Sequence, residues 1–399
     1  MYYYLLVNIV ILTFTGIPSF DYSMPLIHSI KKKKNIKNVY LLSNSLNYKK
    51  IFPDFKDSLR ILDKLNVENI DLSKFSYFKF LKFLFKFSTR DFGRSNYIIK
   101  TIDFIETKII KRSKLTIKTL EKLSPDIVFF DHRNPSTIDN YEDMFHYFKK
   151  KKIKVYLLPH APHYLDENEH LSTGLDNSLL NNVNYIEPFK YSMPDKNLTN
   201  GYSSVVYLNY PGFDKQWLEI LNNNVSHLNS LILLIRPFHT KESTWSKNEK
   251  VILSTGELSQ IINAVNLILE LKKYEKVIIK PHPKNYRTDL DKYITSKINH
   301  KNVIYYKDSI LNLISNTNVY VSTYSTTLLT PIANECPTYI INSEIFDKVF
   351  NDWDVLKKLY SNFTGFTESE SILDAAIDTK KDRNHLNAFF DLDKPTSIF

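Results

Sequence analysis

S-L-I-L-L-I-R-P at residues 230–237 and K-V-I-I-K-P-H-P at 276–283 decide the architecture of this chain. Each is a short, unbroken apolar run that ends in a basic residue and a proline. A strand with one wet face alternates apolar and polar residues, whereas a strand covered on both faces does not. Ten further runs share this character: 8–14, 39–43, 68–72, 126–131, 154–160 and 184–188 in the first half, then 204–209, 302–306, 318–323 and 337–342 in the second. Helical-looking stretches separate them, which is the signature of βαβ units and parallel sheets. Twelve such strands are too many for one doubly wound sheet. They divide into six and six about the polar stretch Met193 to Ser203. The expected domains are 1–200 and 201–375, with 376–399 as a C-terminal segment packing back on the first domain.

Composition excludes several functions. The 399 residues include only seven glycines, at 16, 93, 174, 201, 212, 256 and 365. No G-x-G-x-x-G turn and no G-x-x-x-x-G-K-[ST] loop can be built from them, so a Walker ATPase and an ordinary NAD-binding Rossmann enzyme are ruled out. The single cysteine, Cys336, rules out an internal disulfide framework and a cysteine-based zinc site. Basic residues outnumber acidic ones by 53 to 43, for a net charge of +10, which predicts an anionic partner. The apolar stretch Leu5 to Phe14 is too short to span a bilayer and lacks the flanks of a signal peptide, so it reads as a buried first strand of a cytoplasmic protein.

Ligands of open α/β sheets bind beyond the carboxyl ends of the strands, so the residues just after each run carry the candidate chemistry. After the 276–283 run, Pro281 and Pro283 restrict the backbone around His282, and Lys280 and Lys284 flank it. A pre-placed imidazole with two ammonium neighbours suits a phosphate oxygen; a turn with a solvent-facing histidine remains open. After the 318–323 run, Ser322, Thr323, Ser325, Thr326 and Thr327 crowd the start of a predicted helix. Free N–H groups, a helix dipole and hydroxyl donors there favour phosphate. Plain N-capping is the alternative. Arg236 ends the 230–237 run, so three such strand ends are expected to converge.

In the first half, His160 follows a buried strand between Pro159 and Ala161, with His163 close behind, and Asp131 ends the preceding strand. A neutral imidazole is suited to deprotonating a hydroxyl; a structural histidine and a metal pair with His170 stay open. The D-x-D triplets at 289–291, 352–354 and 391–393 do not follow a buried strand and read as surface or capping positions. Lys74 to Lys86 reads equally as a membrane-interface helix, lysines toward lipid phosphates, or as a core helix with a solvated lysine stripe. The basic residues form no recognised nucleic-acid module, so no nucleic-acid partner is expected.

Taken together, L-L-P-H-A-P-H-Y (157–164), the run from Tyr210 to Trp217, the two opening runs and the 319–337 stretch resemble the GT-B-type transferases that build bacterial surface polysaccharides. These include capsule Kdo transferases, bacterial sialyltransferases and CDP-glycerol glycerophosphotransferases. The resemblance covers about residues 154–342. It implies two Rossmann-like domains with parallel sheets facing a central cleft. It also implies a metal-independent glycosyltransferase that uses a nucleotide-sugar, most plausibly CMP-linked as in CMP-Kdo or CMP-sialic acid, as substrate and needs no cofactor. The donor nucleotide would meet Arg236, Lys280, His282, Pro283, Lys284, Ser322, Thr323, Ser325 and Thr326. A glycan or lipid-linked acceptor of capsule, O-antigen or other surface polysaccharide would lie near Asp131, His160 and His163, with His160 as base. The acidic motif that serves as base in many sialyltransferases is missing, and Ala161 stands where a glycine is usual. The expected location is the cytoplasm, at the inner face of the membrane if the Lys74–Lys86 helix engages lipid. A UDP-sugar 2-epimerase of the same fold and a catalytically inactive scaffold are the alternatives.

Overall fold

The computed structural model describes residues 6–13, 17–43, 56–71, 112–131, 142–158, 177–187, 202–207, 210–235, 255–281, 290–322 and 326–340. Among the described residues, twelve strands form two sheets, and each strand coincides with one of the twelve apolar runs. The first sheet contains β1 (Val7–Thr13), β2 (Ile36–Ser43), β3 (Glu68–Asp71), β4 (Ile127–Asp131), β5 (Lys154–Leu158), β6 (Val183–Glu187) and β7 (Ser204–Tyr207). The second contains β8 (Ser230–Ile235), β9 (Lys276–Pro281), β10 (Val303–Tyr305), β11 (Val319–Ser322) and β12 (Thr338–Ile340). Every pairing is parallel. The two-sheet parallel α/β architecture is thus the one expected, but the strands divide seven and five rather than six and six. The 204–207 strand pairs with β6 at the edge of the first sheet and extends that sheet past the polar stretch.

Nine helices among the described residues connect the strands: α1 (Ile17–Lys31), α2 (Lys56–Leu65), α3 (Arg112–Leu123), α4 (Glu142–Lys151), α5 (Asn177–Leu180), α6 (Lys215–Asn222), α7 (Thr255–Leu271), α8 (Leu290–Lys297) and α9 (Leu329–Ala333). Why the strands lack alternation is plain from β1. Ile9 and Ile11 point to the face shared with Phe20, Met24 and Ile27 of α1, while Val10 and Leu12 point to the face shared with Leu120 of α3 and Phe145 and Phe148 of α4. Both faces are dry, so both parities must be apolar. Each such side chain contributes about 1.5–3 kcal/mol of burial. The core on the α1 side continues into the second sheet without a break, taking in Trp217, Leu233, Ile279 and Val321.

The strand orders are β3-β2-β1-β4-β5-β6-β7 and β10-β9-β8-β11-β12. Both run outward from a central strand in one direction and then reverse, which puts a topological switch point between β1 and β4 and another between β8 and β11. Ligands of doubly wound sheets lie at such points.

Candidate functional site

The second sheet brings together what the sequence scattered. β9 and β11 both flank β8, all three point the same way, and so their carboxyl ends share one edge. Lys280 of β9 is the register partner of Leu234 of β8, and the Leu234 carbonyl accepts the Ser322 hydroxyl of β11 at 3.0 Å. Arg236, His282 and Thr323 each follow directly on the last residue of one of these strands. Those three residues, with Pro283, Lys284 and Ser325, lie outside the described residues, as does the Thr326 side chain. In the first sheet, Asp131 is the last residue of β4, whose neighbours are β1 and β5. Its side chain, His160 and His163 lie outside the described residues, as do Lys74–Lys86 and 376–399.

Two expected phosphate ligands are used differently. The Ser322 hydroxyl is fully buried and spends its only proton on the Leu234 carbonyl, so it has none to give an anion. Lys280 is buried as well, within electrostatic reach of Asp21 and Asp308. The expected helix at 325–327 is a 3₁₀ turn, Thr326–Leu328, leading into the five residues of α9. A macrodipole that short is weak. Any anion held there relies on N–H groups and hydroxyls.

A polar cluster that the sequence reading did not single out lies between the sheets. Asp21, near the start of α1, accepts a short hydrogen bond from the Ser309 hydroxyl, 288 positions away in the chain. Ser309 N-caps the 3₁₀ turn Ile310–Leu313 by accepting from the Leu311 N–H at 3.1 Å, so its hydroxyl both caps a turn and joins two sheets. Burial pushes the Asp21 carboxyl up to about 7; the Ser309 bond and Lys280 oppose this and Asp308 adds to it. Burial brings the Lys280 ammonium down to about 8, with Asp21 and Asp308 opposing. The buried Tyr210 phenol also feels Asp21 and is hydrogen-bonded to Thr330 of α9; burial holds it well above its ordinary value. One signal was present in the sequence: a lone acid in the apolar stretch of α1, and an Asp-Ser pair before an apolar run. Their pairing was not.

The Tyr210–Trp217 run builds the rest of this seam. Tyr210, Phe213 and Trp217 are buried, with the first two rings edge to face at 4.7 Å. Asp214 N-caps α6, accepting from the Gln216 and Trp217 N–H groups, and its carboxylate lies 3.6 Å from the Lys32 ammonium. Arg60 of α2 donates to the Asn224 carbonyl at 2.5 Å. The run therefore acts as a hub between the sheets.

No protein-family model and no curated sequence matches this chain. Among solved structures, it is similar to the UDP-GlcNAc 2-epimerase of Methanocaldococcus jannaschii at 14% identity, covering 92% of this chain and 91% of that one with a TM-score of 0.46. It is similar to the Neisseria meningitidis UDP-GlcNAc 2-epimerase bound to UDP-GlcNAc at 13% identity, 95% and 97% coverage and a TM-score of 0.45. A glycosyltransferase from Rickettsia africae shares 12% identity over 97% of this chain and 95% of its own, with a TM-score of 0.47.

Proposed function

We propose that this chain is a metal-independent glycosyltransferase that moves a sugar from a CMP-activated donor to a glycan or lipid-linked acceptor of a surface polysaccharide. The observation that supports this is the strand order β9-β8-β11, which brings to one sheet edge, beside a switch point, the carboxyl ends of the strands that His282, Arg236 and Thr323 follow in sequence. Donor phosphate charge falls to Arg236, His282 and Lys284, with hydroxyls from Thr323 and Ser325. As the acceptor oxygen bonds to the anomeric carbon, the bond from that carbon to the phosphate oxygen breaks and the leaving phosphate keeps the electron pair. Fixed positive charge stabilises that developing anion. The acceptor proton passes to a base at the β4–β5 edge of the first sheet, where His160, His163 and Asp131 are the candidates.

The test is a thermal-shift screen against CMP, CDP, UDP and GDP, followed by incubation with nucleotide-sugars with and without acceptor. CMP is expected to raise the unfolding midpoint; saturation at about 100 times Kd corresponds to about 2.7 kcal/mol. His282→Ala is expected to abolish the CMP shift and transfer while leaving the unliganded midpoint unchanged. No shift with any nucleotide sinks the proposal. Conversion of a UDP-sugar without acceptor identifies an epimerase instead.

A further inference from the structure

Asp21, Lys280 and Asp308 place two carboxylates and one ammonium in a poorly hydrated seam, so the set is neutral only while one carboxyl keeps a proton. The members come from three places: α1 of the first lobe, the end of β9, and the 308–309 turn of the second. Tyr210, which stays neutral, faces the set from ahead of the 211–213 turn. The Ser309 hydroxyl ties Asp21 to the second lobe directly. Lys280 stands two residues ahead of His282, with only Pro281 between them.

We propose that Asp21 is a positioning residue that ties the first lobe, through Lys280 and Ser309, to the carboxyl end of β9 and so sets the donor-binding edge relative to the acceptor-binding edge. This rests on the donor assignment made above. Asp21 does not touch the nucleotide in this scheme. It acts through Lys280, whose ammonium it holds between the lobes and away from the ligand. When Asp21 is protonated the set is neutral; when it ionises the set becomes net negative beside a site for an anion, and binding weakens.

The experiment measures CMP binding by calorimetry at pH 6 and pH 7.5 for the wild type, Asp21→Asn and Asp21→Ala, with CD and unfolding midpoints confirming that each is folded. Asn keeps the shape and the acceptor for Ser309 and mimics the protonated acid, so Asp21→Asn is expected to bind as the wild type does at pH 6. The wild type is expected to lose about fivefold in affinity by pH 7.5, where Asp21 is ionised and Lys280 still holds its proton, relative to Asp21→Asn, which corrects for titration of the nucleotide itself. Asp21→Ala is expected to bind about tenfold more weakly at both pH values because the seam has lost its tie. A folded Asp21→Ala that binds CMP like the wild type, or an Asp21→Asn with the wild-type pH profile, overturns the positioning role and leaves the donor site standing. A wild type that binds no nucleotide overturns the functional assignment, and the link from Asp21 to a donor falls with it. In that event the pH dependence of unfolding in Asp21→Asn still reports the seam.

Discussion

His28 is half-buried on α1, its ring 5.6 Å from that of Trp217 across the seam. Burial is the main reason its pKa falls from 6.5 to about 4; Lys32 adds to the effect and Asp214 opposes it. The folded state therefore resists a proton that the unfolded chain accepts. The stabilisation is complete above about pH 6.5 and is lost as pH falls toward 4. His28→Gln removes this titration, so the fall in unfolding midpoint from pH 7 to pH 5 is expected to be shallower than in the wild type. The difference is about 1 kcal/mol, discounted for the solvent that reaches the ring. An equally steep fall in both proteins would show that His28 takes no part in acid unfolding. Cys336 behaves oppositely to a reactive thiol. It is fully buried, its Sγ donates to the Ser315 carbonyl at 3.1 Å, and burial pushes it up to about 12. A thiol reagent at pH 8 is expected to label it only after denaturant is added; labelling of the native protein would contradict the packing.

At the scale of single elements, the scarcity of glycine has a cost. Helices commonly end in a left-handed residue, and glycine takes that position most easily. Here Asn66, Ser124, Lys152 and Glu335 follow α2, α3, α4 and α9 with φ of 49°, 46°, 55° and 55°. At α4 the Lys152 N–H bonds the Lys149 carbonyl and the Ile153 N–H reaches back to that of Phe148, so the backbone there is fixed by its partners. Lys152 is exposed, and its side chain gives little to set against a strained φ. Lys152→Gly is thus expected to stabilise the protein by about 1 kcal/mol, read as a higher denaturant midpoint at unchanged m-value. A lower midpoint would mean that the lysine side chain matters more than the backbone. Gly212 is the opposite case, since a Cβ there would overlap the Tyr210 ring. Gly212→Ala is expected to cost about 1–3 kcal/mol by forcing Tyr210 from its place, measured by chemical denaturation. These elements also show what a sequence makes legible. Strands buried on both faces are written as continuous apolar runs, and all twelve could be placed. The pairing of β7 depends on which sheet has an edge free to take it, and no residue in S-V-V-Y encodes that. Lys280 and Ser322 looked like ligands because cations and hydroxyls at strand ends often are. The groups beside them in the fold, Asp21 near Lys280 and the Leu234 carbonyl that accepts from Ser322, come from distant parts of the chain, which local patterns do not reveal.

Over the whole molecule, the decisive feature is that the two sheets share a core. α1 contributes Phe20, Met24 and Ile27 to a cluster that also contains Trp217, Leu221 and Leu329 of the second lobe. The polar ties at Asp21–Ser309, Lys32–Asp214 and Arg60–Asn224 lie along the same seam. If the lobes were joined only by exposed ion pairs they would unfold separately, because such pairs are worth at most about 1 kcal/mol each. A shared apolar core makes separation of the lobes expose surface on both. Trp217, fully buried at the centre of this seam, reports which regime holds. Trp217→Ala leaves a cavity between the lobes and is expected to cost about 3–5 kcal/mol. Wild type and variant alike should show one calorimetric transition, the variant's at lower temperature. Trp217→Phe is expected to cost less, because a phenyl ring fills most of the space and the indole N–H it deletes is buried with no hydrogen-bond partner among the described residues. Two resolved transitions in the wild type would mean that the lobes are independent. The seam, Asp21 included, would then have no means of setting one sheet edge against the other.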